Sequence, residues 1–270
     1  MNQRDLIHHY LTSFYIQGGR YLIAAGIGYL VFYVLRKKAF SSRKIQKALP
    51  TWKNISTELI YSFITILIFA LVGLLLFIAS KHGYTLIYND ISKYGYVYLV
   101  FSFFASVIIH DAYFYWMHRA IHHKSIFKYA HKVHHLSKNP TPWAAYSFHP
   151  IEGVAEAGIF PLLVFIMPFH PIVLVAFMVW QISFNVAGHL GYEIYPKKFM
   201  NSAWRYIFNS STHHNMHHSK FKGNYGLYFS WWDRWMGTEF NDYKQTFNKV
   251  VEHNPEEAEP TFTQMEESVA

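Results

Sequence analysis

Long apolar runs, separated by short polar stretches, dominate the first 110 positions of the chain. One run covers residues 14–35, a second covers residues 59–79 without a single charge, and a third begins near Gly95. About 20 helical residues are enough to cross the apolar part of a bilayer, since each adds about 1.5 Å. The pattern therefore predicts three transmembrane helices in this part of the chain.

A further apolar region covers residues 154–186 and is interrupted once, by the Pro-Phe-His-Pro sequence at 168–171. Its two segments, of roughly 14 to 16 residues each, are short for full crossings. They form either a helical hairpin that enters and returns on one side or two tilted spans. We therefore expect an all-α integral membrane bundle in which these two segments follow the three predicted spans.

Charge and composition indicate the orientation of the chain in the membrane and exclude some kinds of site. Lys and Arg number seven against one acid in residues 36–58, and two against one in residues 80–94. By the positive-inside rule the first of these loops is cytoplasmic. The basic residues lie beside apolar segments. The net charge of +8 therefore favours a membrane surface over nucleic acid as the partner of the chain. With no cysteine, the chain has no disulfide, thiolate zinc site or cysteine-ligated iron–sulfur cluster.

The sequence predicts one membrane-embedded domain, residues 1–251, in which the histidine-rich part is 110–240. Residues 252–270 contain six Glu and are predicted to form an acidic, disordered tail.

Histidines recur at spacings typical of metal ligands. On a helix Asp111, His118 and His122 lie within roughly 20° of one line, whereas a continuous helix would place His131 on the opposite side. The chain must therefore break between His122 and His131, and Ser125 is a candidate N-cap for a second helix. Neutral imidazole is the commonest protein ligand for metals. The predicted ligands in these boxes, two with H-x-x-H-H spacing, are His118, His122, His131, His134, His135, His214, His217 and His218.

Polar residues on the last apolar helix extend this candidate site. Gln181, Asn185 and His189 follow at i, i+4 and i+8, which indicates that this helix faces the metal centre and not lipid. His189 is a predicted ligand, and Asn185 is expected to support the site from its outer side. Glu193 is a candidate ligand or orienting acid.

Two further residues belong to the candidate set. Asp111 is expected to accept a hydrogen bond that orients an imidazole. His149 precedes Pro150, a residue suited to the first turn of a helix, and so could be a ligand, a residue that supports one, or a helix cap.

The boxes H-R-A-I-H, H-K-V-H-H and H-N-M-H-H together resemble the fatty acid hydroxylase and sterol desaturase superfamily. The segments D-A-Y-F-Y-W-M-H-R, S-F-H-P-I-E, G-H-L-G-Y-E and W-W-D-R-W-M-G-T are also similar to sequences of that family. The similarity covers about residues 111–238, and the preceding residues match only as membrane spans.

The resemblance implies an all-α membrane oxygenase of about four spans, whose cytosolic histidine-rich helical cap holds two iron ions, which zinc can replace in a purified protein. Such an enzyme uses O₂ and two external electrons to hydroxylate or desaturate a C–H bond of a lipid, of sterol, fatty acyl or sphingoid type. Because no heme domain is fused to the chain, a separate ferredoxin or b-type cytochrome with its reductase is implied. The host membrane is then a bacterial inner membrane or the endoplasmic reticulum.

Other functions use membrane histidines too. A b-type heme carrier needs isolated histidines on facing spans, not clustered triplets near helix ends. A metal transporter needs polar residues at mid-membrane, and the first two spans have almost none. A zinc-dependent hydrolase is compatible with the same histidines and differs in consuming no O₂. The residues alone do not choose the lipid, or hydroxylation over desaturation.

Overall fold

The computed structural model describes residues 2–252, which form a helical bundle without a β-strand. Four helices are long and apolar enough to cross a membrane, in agreement with the predicted number of spans. α1 (Gln3–Tyr29) continues through a π-helical turn (Leu30–Leu35), and the other three are α2 (Trp52–Lys81), α3 (Gly95–Ile121) and α7 (Pro171–Gly188).

The first helix begins well before the predicted start of its apolar run. Asn2 and Asp5 form a reciprocal capping box, with Asp5 N donating to Asn2 Oδ1 (2.9 Å) and Asn2 N donating to Asp5 Oδ2 (3.1 Å). These bonds satisfy amide groups that a helix start otherwise leaves unpaired. The polar residues before residue 14 therefore belong to the same helix.

The interrupted apolar region forms α5 (Pro150–Ala157), α6 (Ile159–Ile166) and α7. α5 begins beside the histidines, whereas α6 ends beside the 82–94 loop, where Leu86 N donates to Val164 O (2.8 Å) and Phe169 N donates to Leu86 O (3.1 Å). α5 and α6 thus run the length of the bundle and α7 returns. The region is thus a helical hairpin that begins and ends at the histidine end of the bundle, and only its second arm, α7, is among the four helices long enough to cross a membrane.

Large apolar side chains on the outer faces of the spans are exposed. Ile23, Val97 and Val100 are 64%, 86% and 58% exposed, respectively. An apolar surface of this extent on a protein needs a cover. Together with the span lengths, it identifies the chain as an integral membrane protein.

The break after the first histidine pair is confirmed, but the predicted helix that follows is wrong. Residues after α3 turn, and α4 (Phe127–Ala130) is a single turn whose N-cap position is Ile126, without a side-chain cap bond. Ser125 instead donates its backbone N–H to His123 Nδ1 (3.4 Å). His131 follows α4, and the next histidines lie in a 3₁₀ turn (His134–Leu136). In this segment the packing of the imidazoles towards a common centre replaces the continuous helix that the spacing predicted.

The remaining elements cover the histidine end of the bundle. They are α8 (Ser211–Lys220), α9 (Trp231–Trp235) and α10 (Tyr243–Glu252). The basic 36–51 loop lies at this same end, since Ile45 N donates to Gly191 O (3.1 Å) and Gln46 Nε2 donates to Asn215 Oδ1 (2.8 Å). The predicted disordered tail, apart from Glu252, lies outside the described residues.

Candidate metal centre

Nine predicted histidine ligands converge in two groups near the C-terminal ends of α3 and α7. Within each group, one ring nitrogen per histidine lies within 4.8 Å of all the others. Group 1 contains His118, His122, His131, His135 and His217. Group 2 contains His134, His189, His214 and His218.

Each H-x-x-H-H box contributes to both groups. In α8, His214 and His218 belong to group 2 while His217 belongs to group 1. The other box is divided in the opposite sense, with His134 in group 2 and its two partners in group 1. Residues four apart on a helix lie almost in line, and the third residue points to a different side. The H-x-x-H-H spacing thus allows one segment to supply imidazoles to both groups.

The hydrogen bonds of the outer ring nitrogens determine the tautomers. Nδ1 of His118, His189 and His217 lies 2.8, 2.7 and 2.8 Å from the carbonyl oxygens of Tyr225, Asn185 and Gly223. A carbonyl oxygen only accepts, so these Nδ1 atoms carry the proton and the Nε2 atoms face inward with a lone pair. A neutral imidazole held in this way is ready to bind a metal ion.

The inward nitrogens of each group lie close to one another. Nε2 of His189 lies 3.0 Å from Nε2 of His214 and 3.2 Å from Nε2 of His134, and group 1 contains equivalent contacts of 3.0–3.1 Å. Lone pairs at this separation repel one another unless a positive charge lies between them. The donor set therefore fits two metal ions that accept nitrogen ligands, among which are iron, zinc and copper.

Burial favours the neutral form of these side chains. It lowers the pKa of His214, His217 and His218 well below the usual 6.5, and the neighbouring histidines lower it further. The pKa of His135 falls to about 3 for the same main reason. These imidazoles are thus neutral at neutral pH, as metal binding requires.

The sequence of the chain is similar to those of known proteins of one family. The model of the fatty acid hydroxylase family matches residues 103–238. The chain belongs to the fatty acid hydroxylase family. A Delta(7)-sterol 5(6)-desaturase of Gibberella zeae is 34% identical to it over 83% of this chain and 69% of the relative. The lathosterol oxidases of Rattus norvegicus and Homo sapiens are 35% and 34% identical over 59% of this chain.

The chain spans about half the length of these two mammalian relatives, since the alignments cover 52% of each. No solved structure matches the chain.

One acidic partner of the histidines was missed by the sequence reasoning. Glu152 Oε1 lies 2.6 Å from His131 Nδ1, and both side chains are 1% exposed. Glu152 lies in the family-like segment S-F-H-P-I-E, and its position at the start of α5, next to the histidine end, was the available signal. A carboxylate on Nδ1 fixes the ring orientation and increases the basicity of the inward nitrogen.

Replacing Glu152 with glutamine is expected to weaken metal binding at group 1 by about 10- to 100-fold, because the amide keeps the shape but loses the charge. Competition with a chelator of known affinity, followed by metal analysis, measures this loss. Glu239→Gln is the matched control, since Glu239 pairs with Arg205 (3.2 Å) outside both groups. Equal affinities of the Glu152→Gln variant and the unaltered protein would exclude this role.

A second acid supports the loop that holds two histidines. Asp233 accepts hydrogen bonds from Tyr225 N (2.8 Å) and Gly226 N (2.7 Å). The carbonyls of this loop, at Gly223 and Tyr225, accept the Nδ1–H bonds of group 1 histidines. The side chain of Asp233 therefore positions the loop, a role that the sequence reasoning did not assign to it.

Asn185 and Glu193 contact the site in ways other than those expected. The backbone carbonyl of Asn185 orients His189, while its side chain donates to Ala145 O (2.8 Å). Glu193 is not in either group, because its carboxylate accepts from Tyr195 N and Thr212 N, each at 2.9 Å. Glu193 thus stabilises the first turn of α8 and is not placed as a ligand.

Asp111 and His149 also lie apart from the inward nitrogens. Asp111 Oδ1 accepts from Tyr228 N (2.9 Å) and Phe229 N (3.1 Å), so it positions this backbone and not an imidazole. His149 is the N-cap residue of α5, where its Nδ1 accepts from Ile151 N (3.3 Å). Of its three expected roles the structure shows the helix cap.

Proposed function

We propose that this chain is a membrane-bound non-heme di-iron oxygenase that desaturates or hydroxylates a C–H bond of a lipid. The observation that supports this most strongly is the convergence of nine inward-facing imidazole nitrogens in two adjacent groups. The family match and the names of the relatives, sterol desaturases and lathosterol oxidases, support the same reaction class.

The proposed ligands are the five histidines of group 1 and the four of group 2, each group holding one iron ion. Iron, when bound, supplies a change of oxidation state, which zinc does not. Desaturation removes two hydrogens from the lipid and reduces O₂ to two water molecules. The balance requires two further electrons and two protons, so a donor is part of the proposal.

The protein's own residues hold the imidazoles neutral and cover them. Phe127 lies over group 1, with its ring centroid 5.4 Å from that of His122 and 5.6 Å from that of His135. Phe221 stacks near His135 as well, at 4.7 Å. These rings limit the access of water to the centre, and only His122 of the nine histidines is partly exposed.

For the substrate we propose a sterol-type lipid, on the basis of the relatives' names. The test is expression in a host supplied with a Delta(7)-sterol, followed by comparative lipid mass spectrometry. Loss of two hydrogens or gain of one oxygen is expected, with consumption of O₂. An unchanged lipid profile in cells that contain the iron-loaded protein would overturn the proposal, and a hydrolytic product formed without O₂ would indicate a zinc hydrolase.

We propose further that the histidine end faces the cytoplasm. The basic 36–51 loop lies at that end, and the positive-inside rule assigns such loops to the cytoplasmic side. An electron donor, a ferredoxin or a b-type cytochrome, would then approach from the cytoplasm.

The surface around group 1 is suited to an acidic donor. Residues 112–151 contain five Lys or Arg and no acid, and Lys124, Lys128 and Lys132 are exposed next to the partly exposed His122. Complementary charge raises association rates by about 10- to 1,000-fold at low ionic strength.

Replacing Lys124, Lys128 and Lys132 with glutamate is therefore expected to slow reduction by an acidic donor at least about 10-fold at low salt. Stopped-flow reduction rates at increasing ionic strength measure the effect, which should shrink as salt rises. The control reverses Lys81 and Lys93, which are exposed near the opposite end of the bundle. A triple variant reduced at the unaltered rate would place the donor elsewhere.

A further inference from the structure

A tyrosine ring lies against the histidines of group 1. The ring centroid of Tyr225 is 5.1 Å from that of His122 and 5.6 Å from those of His118 and His217. The other rings that contact group 1 within residues 2–252, histidines apart, are phenylalanines: Phe114, Phe127 and Phe221. A phenol gives up an electron far more readily than a phenyl ring. Tyr225 is therefore the neighbouring ring from which an electron is most easily drawn.

From Tyr225 a row of tyrosine and tryptophan rings leads to the protein surface. The ring centroid of Tyr115 lies 6.2 Å from that of Tyr225, and Tyr115 stacks on Trp232 at 5.7 Å. Trp232 in turn lies 5.5 Å from Trp235, which is 65% exposed. These separations are those of aromatic rings in contact. We call Tyr225, Tyr115, Trp232 and Trp235 the aromatic row.

Tyr115, inside the aromatic row, also has a path for its proton. The side chain is buried, and its hydroxyl oxygen lies 2.9 Å from Thr238 Oγ1. Thr238 Oγ1 donates to Asp233 Oδ1 (2.7 Å), because a carboxylate only accepts, and Thr238 is thereby left to accept from Tyr115. Arg119 Nη1 donates to the same phenol oxygen (3.2 Å). A phenol that loses an electron becomes strongly acidic, so Tyr115 can lose its electron and its proton together.

Group 2 has no comparable neighbour within the part of the chain that the structure describes. Apart from histidines, the ring in contact with its imidazoles is that of Phe148, 5.2 Å from His134. Tyr146 lies behind Phe148 at 6.4 Å, so a phenyl ring separates this tyrosine from the histidines. The connection to the surface is thus a property of group 1 and not of aromatic packing around all the histidines.

We propose that the aromatic row supplies electrons to group 1 when O₂ has been partly reduced but no lipid hydrogen is within reach; the inference rests on the proposed function. An oxidant held among the imidazoles would otherwise attack them. Tyrosine and tryptophan lose one electron at a time, and rings in contact pass the deficit on. The row thus moves the oxidation to the exposed Trp235, where a soluble one-electron reductant, such as ascorbate or a thiol, can reach it.

Electrons and protons balance in this step. Productive desaturation takes two electrons from the lipid and two from the donor, and the aromatic row replaces the two that the lipid does not give. For each of these, Tyr115 passes one electron towards group 1 and one proton through Thr238 to Asp233. Trp232 then returns an electron to Tyr115, which recovers its proton, and the surface reductant restores the row. O₂ leaves as two water molecules, whose remaining protons come from the solvent and the oxidised reductant.

The test withholds the lipid. Iron-loaded protein in sterol-free nanodiscs is reduced anaerobically with a stoichiometric amount of dithionite, mixed with O₂ and catalase, and digested for peptide mass spectrometry. In the unaltered protein, oxidation is expected at Trp235. Tyr115→Phe keeps the ring but lacks the phenol, so oxidation should shift to Tyr225 and the group 1 histidines. Release of iron to a chelator during repeated cycles should then become several-fold faster.

Tyr21→Phe is the matched control. Tyr21 is also buried and its hydroxyl donates to Trp143 O (2.8 Å), but it lies outside the aromatic row. This variant should still be oxidised at Trp235. A diffusing oxidant would modify the exposed Trp235 equally in both variants, and that result would overturn the inference. So would oxidised histidines beside an intact Trp235 in the unaltered protein.

A second measurement needs no oxygenase activity. In zinc-loaded protein, azide radicals from pulse radiolysis oxidise exposed tryptophans, and the deficit should move inward, so that the indolyl absorption decays as the phenoxyl absorption grows. Tyr115→Phe and Trp232→Phe should each remove a large part of this transfer, whereas Tyr21→Phe should not. Equal transfer in all three variants would overturn the inference.

The two measurements separate this inference from the proposed function. Transfer that depends on Tyr115, in a protein that consumes no O₂ when loaded with iron, would support the aromatic row and count against the oxygenase. Oxidation of lipid by O₂, with Trp235 modified equally whether or not Tyr115 is replaced, would support the oxygenase and overturn the role of the row.

Discussion

Alanine in place of His134 is expected to reduce turnover by more than about 100-fold and to remove most of the bound iron, since each histidine box serves both groups. His134 Nε2 lies 3.2 Å from His189 Nε2, and its Nδ1 donates to Ser147 O (3.2 Å), so its inward nitrogen is fixed within group 2. Loss of a partner that only orients a ligand already costs about 10- to 100-fold, and loss of the ligand itself costs more. Turnover of the lipid substrate and iron content per protein are the two measurements.

His123→Ala is the control for this variant. His123 is exposed, and it is in neither group although it directly follows His122. The control should retain the iron content and turnover of the unaltered protein. Full activity of the His134→Ala variant with two iron ions bound would contradict the ligand assignment.

Stripping the metal with a chelator is expected to abolish turnover and to lower the melting temperature by about 5–11 °C. The inward lone pairs, 3.0–3.2 Å apart, then face one another without a cation. A ligand present at 100 times its Kd stabilises the folded state by about 2.7 kcal/mol, and for a chain of this size each kcal/mol corresponds to about 2–4 °C. Thermal unfolding in detergent, before and after chelation, measures the shift.

Acidification should destabilise the metal-free protein further. Burial lowers the pKa of His189 to about 4 and that of His135 to about 3, whereas both titrate near 6.5 in the unfolded chain. Between these values the unfolded state binds more protons, so stability is intact above pH 6.5 and is lost as the pH falls through that window. The slope is about 1.4 kcal/mol per pH unit for each such histidine. Melting temperatures that do not differ between pH 7.5 and 5.5 would contradict this account.

The spans and the convergence of the histidines could be predicted because their signals are local. Apolar length identifies a crossing helix, and the spacing of His214, His217 and His218 within one α8 turn shows which side chains share a region. The break after His122 followed from helix periodicity alone. These inferences require no knowledge of which distant segments meet.

The supporting acids could not be assigned from local patterns. Asp111 lies on the helix line of His118, yet it bonds to the backbone 117 residues away at Tyr228. Glu193 lies four residues after His189 and nevertheless caps α8. Glu152, the acid that does contact an imidazole, lies 21 residues from His131 in sequence. Only the fold decides which carboxylate meets which partner.

The divided boxes have a consequence for how the two proposed ions would be acquired. A single segment, α8, supplies nitrogens to both groups, and the turn that carries His131, His134 and His135 does the same. Loading of one position therefore preorders the other, and a shift of either segment disturbs both at once. Half-filled protein should accordingly be rare during assembly, and the pair of ions should be gained and lost as a unit.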